Sequence, residues 1–194
     1  MNNCYLDAEA VITFFRMTGR KHIFITGSRG SGKSHLVNNM LKHMSDSFNL
    51  LQSHRTDTPQ VVIKSNLVAD NKEFVIGVPR TSGINPASKG NNMTIIEDGF
   101  INCAIPAIDT HLDTTPERLF VIDELGYLES SCIPFQKAVE KLLDNSHVLA
   151  VIRKQSTEFL NRICNRKDVL VIDIDNTFET LSCIIMASGM SKRF

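Results

Sequence analysis

Neither sign of charge is in excess in this 194-residue sequence: 21 lysines and arginines face 21 aspartates and glutamates, for a formal net charge of zero. That disfavours a broad cationic surface, so nucleic acid is not an expected partner, although a local basic patch stays open. No Cys-x-x-Cys pair occurs. The five cysteines (Cys4, Cys103, Cys132, Cys164, Cys183) are scattered and odd in number, which argues against a disulfide framework or structural zinc and for a reducing, cytoplasmic compartment. No apolar run approaches the roughly 20 residues that span a bilayer, so no membrane partner is expected. The opening MNNCYLDAEAVITFF lacks a basic start, and Asp7 and Glu9 break its apolar run, unlike a secretory leader. Internal repeats and low-complexity tracts are missing too. What remains is ordinary globular material, 42% apolar and 22% charged. It suffices for a single domain over 1–194 and is too short for a second full one.

Periodicity divides the chain into alternating strands and helices. Leu6 to Thr18 has helical spacing and stops before Gly19, an N-terminal helical addition. KHIFIT is a short buried strand, and Ser34 to Met44 is a helix with Leu36, Val37, Met40, Leu41 and Met44 on one face. NLLQSH is a second strand, and PQVVIKSNL and EFVIGV flank VADNK as a β-hairpin. Arg80 to Asn92, rich in Gly, Ser, Asn and Pro, reads as a mobile loop. A helix is expected over Ile95 to Leu112, kinked or interrupted at Pro106. Then follow strand RLFVID, helix Phe135–Leu143, strand HVLAVI, helix Thr157–Asn165, strand DVLVIDI and helix Phe178–Ala187. This order predicts an α/β fold, a mostly parallel sheet with helices on both faces and a β-hairpin insertion.

Gly27 to Ser34 reads G-x-x-x-x-G-K-S, between a β-branched strand and an amphipathic helix. In that context it is a phosphate loop. The glycines permit backbone angles that a Cβ would forbid, N–H groups turn inward, and the helix adds its positive end. Lys33 is expected on the β- and γ-oxygens and Ser34 on magnesium. The expected nucleotide-binding set is Gly27, Ser28, Arg29, Gly30, Ser31 and Gly32, followed by Lys33, Ser34 and His35. The strand ending at Ile122 delivers Asp123 and Glu124 to the sheet edge where parallel sheets bind ligands. Asp123 is expected to hold magnesium through water together with Ser34, and Glu124 to take a proton from a water aimed at the γ-phosphate. The competing reading of the pair is a helix or turn cap.

Position sorts the other charged residues. Arg118 precedes its strand and lies at the wrong edge. Arg153 and Lys154 end HVLAVI and face the phosphate edge, Arg153 being a candidate phosphate contact. Arg29 either covers the nucleotide or is exposed, and His54 and Arg55 follow the second strand. Asp173 and Asp175 either touch base or ribose or cap the last helix. The cysteines and Met40 and Met44 read as core.

The combination resembles the THEP-type (cancer-related) nucleoside-triphosphatase family. IFITGSRGSGKSHLV, IEDGFINCAIPAI, FVIDELGYLES with Phe135 following, and NRKDVLVIDI carry the resemblance in order and spacing, most closely over Lys21–Lys42 and Met93 to Ile185. It implies a RecA-like P-loop NTPase fold and magnesium-dependent hydrolysis of ATP, GTP and other triphosphates to diphosphate and phosphate. It places Gly27, Gly30, Gly32, Lys33 and Ser34 in the phosphate loop and Asp123 and Glu124 as magnesium and catalytic carboxylates. The chain departs from the family at LLQSHRTDTP, at Gly126-Tyr127-Leu128-Glu129 and at DNTFET. Two other functions compete with the hydrolase: a small-molecule phosphotransferase, and a nucleotide-gated module that engages a protein partner through the N-terminal helix or the 80–92 loop. In the gated module, Leu6–Thr18 should expose an apolar face; in the hydrolase, it packs inward.

Overall fold

Strand residues in the central sheet alternate between two apolar layers. Phe24, Phe120, Ile122, Val148 and Ala150 pack on one face with Phe100, Phe135 and Val139. Ile23, Ile25, Val121, Leu149 and Val151 pack on the other with Leu36, Met40, Val11 and Ile12. Burial on both faces explains why these strands read as continuous apolar runs. The structure is a computed structural model that describes residues 7–44, 47–80 and 93–176.

Eight strands form one sheet in the order β5-β4-β3-β2-β6-β7-β1-β8. Its parallel part comprises β2 (Phe48–Arg55), β6 (Leu119–Leu125), β7 (His147–Ile152), β1 (His22–Thr26) and β8 (Val169–Asp173). Here β7 stands between β1 and β6. The antiparallel part comprises β3 (Val61–Ser65), β4 (Phe74–Pro79) and β5 (Met93–Ile95). The expected hairpin is β3–β4, and it extends in both directions, since β2 and β5 also pair antiparallel with it.

Helix α1 (Ala8–Thr18) is capped by the Asp7 carboxylate, which accepts from the Glu9 N–H, and ends at Gly19 with φ 63°. It buries Ala8, Val11 and Ile12 against the layer that holds α2 (Lys33–Met44). Ala8, Val11 and Ile12 are thus turned inward, whereas Met17 near the end of the helix is 64% exposed.

The helix expected from Ile95 starts later. Met93–Ile95 pairs with β4, and helical structure runs from α3 (Glu97–Gly99) through a π-turn at Phe100–Ala104 into α4 (Ile105–Thr114). The regular α-helix is interrupted just before Pro106, by the π-turn that ends at Ala104, and the proline falls in the first turn of α4, where its missing N–H costs least. Helices α5 (Ile133–Asn145) and α6 (Glu158–Cys164) complete the layer that holds Phe24 and Phe120. Leu6, most of the 80–92 loop and the expected helix Phe178–Ala187 lie outside the described residues. No helix among the described residues is long and apolar enough to cross a membrane.

Candidate active site

Strand β1 ends at Thr26, and the loop that follows must turn sharply before α2 begins at Lys33. Gly27, Gly30 and Gly32 take φ 152°, 76° and 92°. Gly27 is required for a second reason: a Cβ there would lie 2.6 Å from Ile174 Cγ1 and 2.9 Å from Ser31 Oγ. Inside the loop, Ser31 N–H and Oγ both donate to the Ser28 carbonyl, at 3.2 and 2.6 Å. Lys33 Nζ folds back to donate to the Gly27 and Ser28 carbonyls at 2.9 and 2.8 Å.

The loop is braced from β8. Ser28 donates its N–H and its hydroxyl to Asp175 Oδ2, at 2.8 and 2.7 Å. Lys154 Nζ is 2.9 Å from Asp173 and 3.0 Å from Asp175. The Ser28 hydroxyl and then the Lys154 ammonium pull the Asp175 carboxyl down to about 2. Asp173 and Asp175, considered as ribose contacts or caps, thus hold the loop and Lys154, and Lys154 is taken up by them.

Across the cleft, Glu124 leaves β6 and its carboxylate pairs with the Arg153 guanidinium at the end of β7. Asp123 lies half-buried one residue deeper. Burial pushes its carboxyl up, a hydrogen bond from Gln52 and the Lys33 ammonium pull it down, and Glu124 adds to the push. Glu129 is buried at 5% exposure. Burial raises its carboxyl, opposed by hydrogen bonds from the Gly126 N–H at 2.9 Å and Ser53 Oγ at 3.2 Å.

These groups open on one cleft of about 1160 Å³, large for a single small ligand. Gly27 through His35 line one wall, and Glu124, Tyr127, Glu129 and Arg153 line another. Ser53, His54 and Arg55 close the end beside β2. Arg29 and Arg55 are exposed at the rim. His54 is engaged with Glu73 at 3.3 Å, and Asn39 bonds to the His35 ring at 3.0 Å. Arg118 sits before β6, at the opposite edge. Asp123 is not part of the cleft wall; only its neighbour Glu124 is. Ser53, Gln52 and Glu129 were not singled out as site residues from sequence. Their one signal was position, at the end of the second strand and in the turn after the acidic pair. Burial raises the Cys103 and Cys164 thiols to about 11, and Cys132 also upward, so these three are packing groups.

The NTPase family model matches residues 22–181. The chain belongs to the NTPase family. Nucleoside-triphosphatase THEP1 of Thermotoga sp. (strain RQ2) is 26% identical over 155 residues, 79% of this chain and 86% of that protein. The protein of the same name from Thermotoga maritima is 23% identical over 154 residues, with the same coverage. Among solved structures, THEP1 from the hyperthermophile Aquifex aeolicus aligns with a TM-score of 0.63 at 18% identity, over 86% of this chain and 98% of that one. A human cancer-related nucleoside triphosphatase aligns with a TM-score of 0.59 at 20% identity, over 89% and 100%. These likenesses establish the RecA-like P-loop fold, and family membership assigns NTP hydrolysis in general terms. Helix α1 lies outside the span that the NTPase family model matches.

Proposed function

We propose that this protein is a magnesium-dependent nucleoside triphosphatase that accepts ATP, GTP and related triphosphates, with Gly27–His35 as the nucleotide cradle and Glu124 as the catalytic base. The observation that carries the reading is the placement of the Glu124 carboxylate on the same cleft as the glycine loop and Lys33. On binding, Lys33 exchanges its two loop carbonyls for phosphate oxygens. Ser34 and Asp123 are the residues that would hold magnesium. Their hydroxyl and carboxylate are hard oxygen donors of the kind that ion prefers. Once bound, the ion would neutralise phosphate charge.

Glu124 orients a water and takes its proton as the water oxygen bonds to the γ-phosphorus and the bond to the bridging oxygen breaks. The products are diphosphate and phosphate. Arg153 leaves Glu124 for the γ-phosphate and stabilises the charge that develops there. A cytoplasmic location is part of the same reading, supported by the free thiols of Cys103, Cys132 and Cys164 among the described residues.

The test is phosphate release from ATP and GTP, with and without magnesium, for the unmodified protein, Lys33→Ala and Glu124→Gln. Turnover is expected to fall about 10²–10⁴-fold in Glu124→Gln with nucleotide binding retained. It should also be lost in Lys33→Ala. Tight binding without turnover in the unmodified protein would refute the stand-alone hydrolase.

A further inference from the structure

Glu124 occupies an irregular position in its strand. In the β6–β7 ladder Asp123 faces Val151 and Leu125 faces Ile152, so Glu124 is the extra residue with no partner on β7. A bulged residue is re-aimed by its kink and is not fixed by the ladder. Something else must hold the backbone on either side of it. On the β7 side the Arg153 N–H donates to the Leu125 carbonyl at 2.8 Å. On the β2 side a single buried carboxylate does the work. Glu129 Oε2 accepts the Gly126 N–H, and Oε1 accepts the Ser53 hydroxyl, which also lies 3.4 Å from the Glu124 carbonyl oxygen.

We infer that Glu129 and Ser53 form a positioning pair for the proposed hydrolysis, a clamp that fixes the direction in which Glu124 enters the cleft; this rests on Glu124 being the catalytic base. The chemistry of the contacts supports a functional purpose. The Gly126 N–H and Glu129's own N–H can only donate, and the Ser53 hydroxyl is placed to donate, which matches a carboxylate that accepts at both oxygens. A glutamine in its place could still accept the Gly126 N–H, but its N–H₂ would face Ser53 Oγ and reverse the direction of that hydrogen bond, turning the serine hydrogen away from residue 129. Among the described residues Glu129 makes no ion pair, so its burial is uncompensated by a cation. Closing the turn alone does not require that charge. The turn is already closed through Gly126, whose carbonyl accepts from Ser130 Oγ at 2.6 Å and Ser130 N–H at 3.0 Å. Glu129 is a positioning residue here: it acts through Glu124.

The experiment measures single-turnover phosphate release and nucleotide affinity for Ser53→Ala, Ser53→Thr and Glu129→Gln, each alone and in the Glu124→Gln background. Ser53→Ala and Glu129→Gln are expected to slow turnover by about tenfold or more with Kd changed less than about threefold. Ser53→Thr, which keeps the hydroxyl, should restore most of the rate. In the Glu124→Gln background neither change should cost anything further, the non-additivity of residues that act as a unit. If Glu129→Gln fails to fold, the Ser53→Ala and Ser53→Thr pair carries the same comparison. Full turnover in Ser53→Ala, or losses that multiply with Glu124→Gln, would overturn the clamp and leave the hydrolase reading intact. Full turnover in Glu124→Gln would overturn that reading, and the clamp with it.

Discussion

His22 opens β1 at the edge of the sheet opposite the cleft, with its side chain fully buried. Neither ring nitrogen has a hydrogen-bond partner, and the Asp168 carboxylate stands 3.4 Å from Nε2 without hydrogen-bond geometry. Burial therefore wins. It lowers the imidazole from 6.5 to about 4, with Asp168 pulling the other way and Lys21, Arg166 and His147 adding to the decrease. Between those values the unfolded chain holds a proton that the folded chain does not, so stability rises with pH across the window. The contribution is fully present above about 6.5 and is lost as pH falls towards 4. The full shift corresponds to roughly 3 kcal/mol, of which about 2 kcal/mol is lost between pH 7 and pH 5. The assay is urea unfolding at pH 7, 6 and 5 for the unmodified protein and His22→Leu. Other groups titrate in both proteins, so the difference between the two slopes isolates His22. The loss from pH 7 to pH 5 should shrink by about 2 kcal/mol in His22→Leu. Parallel slopes would show that the buried ring is already charged, or is hydrated, and the reasoning would fail.

Two further outcomes test the cleft. Gly27→Ala puts a Cβ at φ 152° and within 2.6 Å of Ile174, so it should destabilise the fold by about 1–3 kcal/mol and weaken nucleotide binding. A urea midpoint and nucleotide affinity equal to those of the unmodified protein would count against the loop geometry. Arg153→Ala frees the Glu124 carboxylate and removes a cation from the cleft. If Arg153 serves the transition state, single-turnover phosphate release should fall by about 10²–10³-fold with nucleotide affinity changed far less. An unchanged rate would confine Arg153 to holding Glu124 before nucleotide arrives.

The parts of the candidate site readable in sequence are those that chain neighbours build together. The glycine spacing from Gly27 to Gly32 encodes its own backbone angles, and an apolar strand ending in Asp123-Glu124 encodes its place at a parallel-sheet edge. The strands buried on both faces were legible for the same reason. Contacts across the sheet were not. Asp175 reaches Ser28 over 147 residues, and Ser53 reaches Glu129 over 76. Nothing local in LLQSH or GYLES announces such pairs. Ile95 reads as the start of the following helix because a single apolar residue fits either period, and only pairing with β4 decides. Pro106 invited a kink because its place in the first turn of α4 depends on the π-turn before it.

The sheet order gives the cleft its width. With β7 between β1 and β6, the strand ends that carry the loop and the acidic pair are separated by two strand spacings, about 9–10 Å. One spacing, about 5 Å, would press the Glu124 carboxylate against the phosphates held by the loop. Two leave room, on the proposed reading, for a γ-phosphate and the water that attacks it. The strand between them ends in Arg153, so the guanidinium at the middle of that gap can pair with the carboxylate on one side or with phosphate on the other. The walls are braced from outside the gap, by Asp175 and Lys154 beside the loop and by Ser53 and Glu129 beside the acidic pair. Each wall can therefore hold its shape while the group between them changes partner, an arrangement suited to a site that must bind a polyanion and then release two smaller ones.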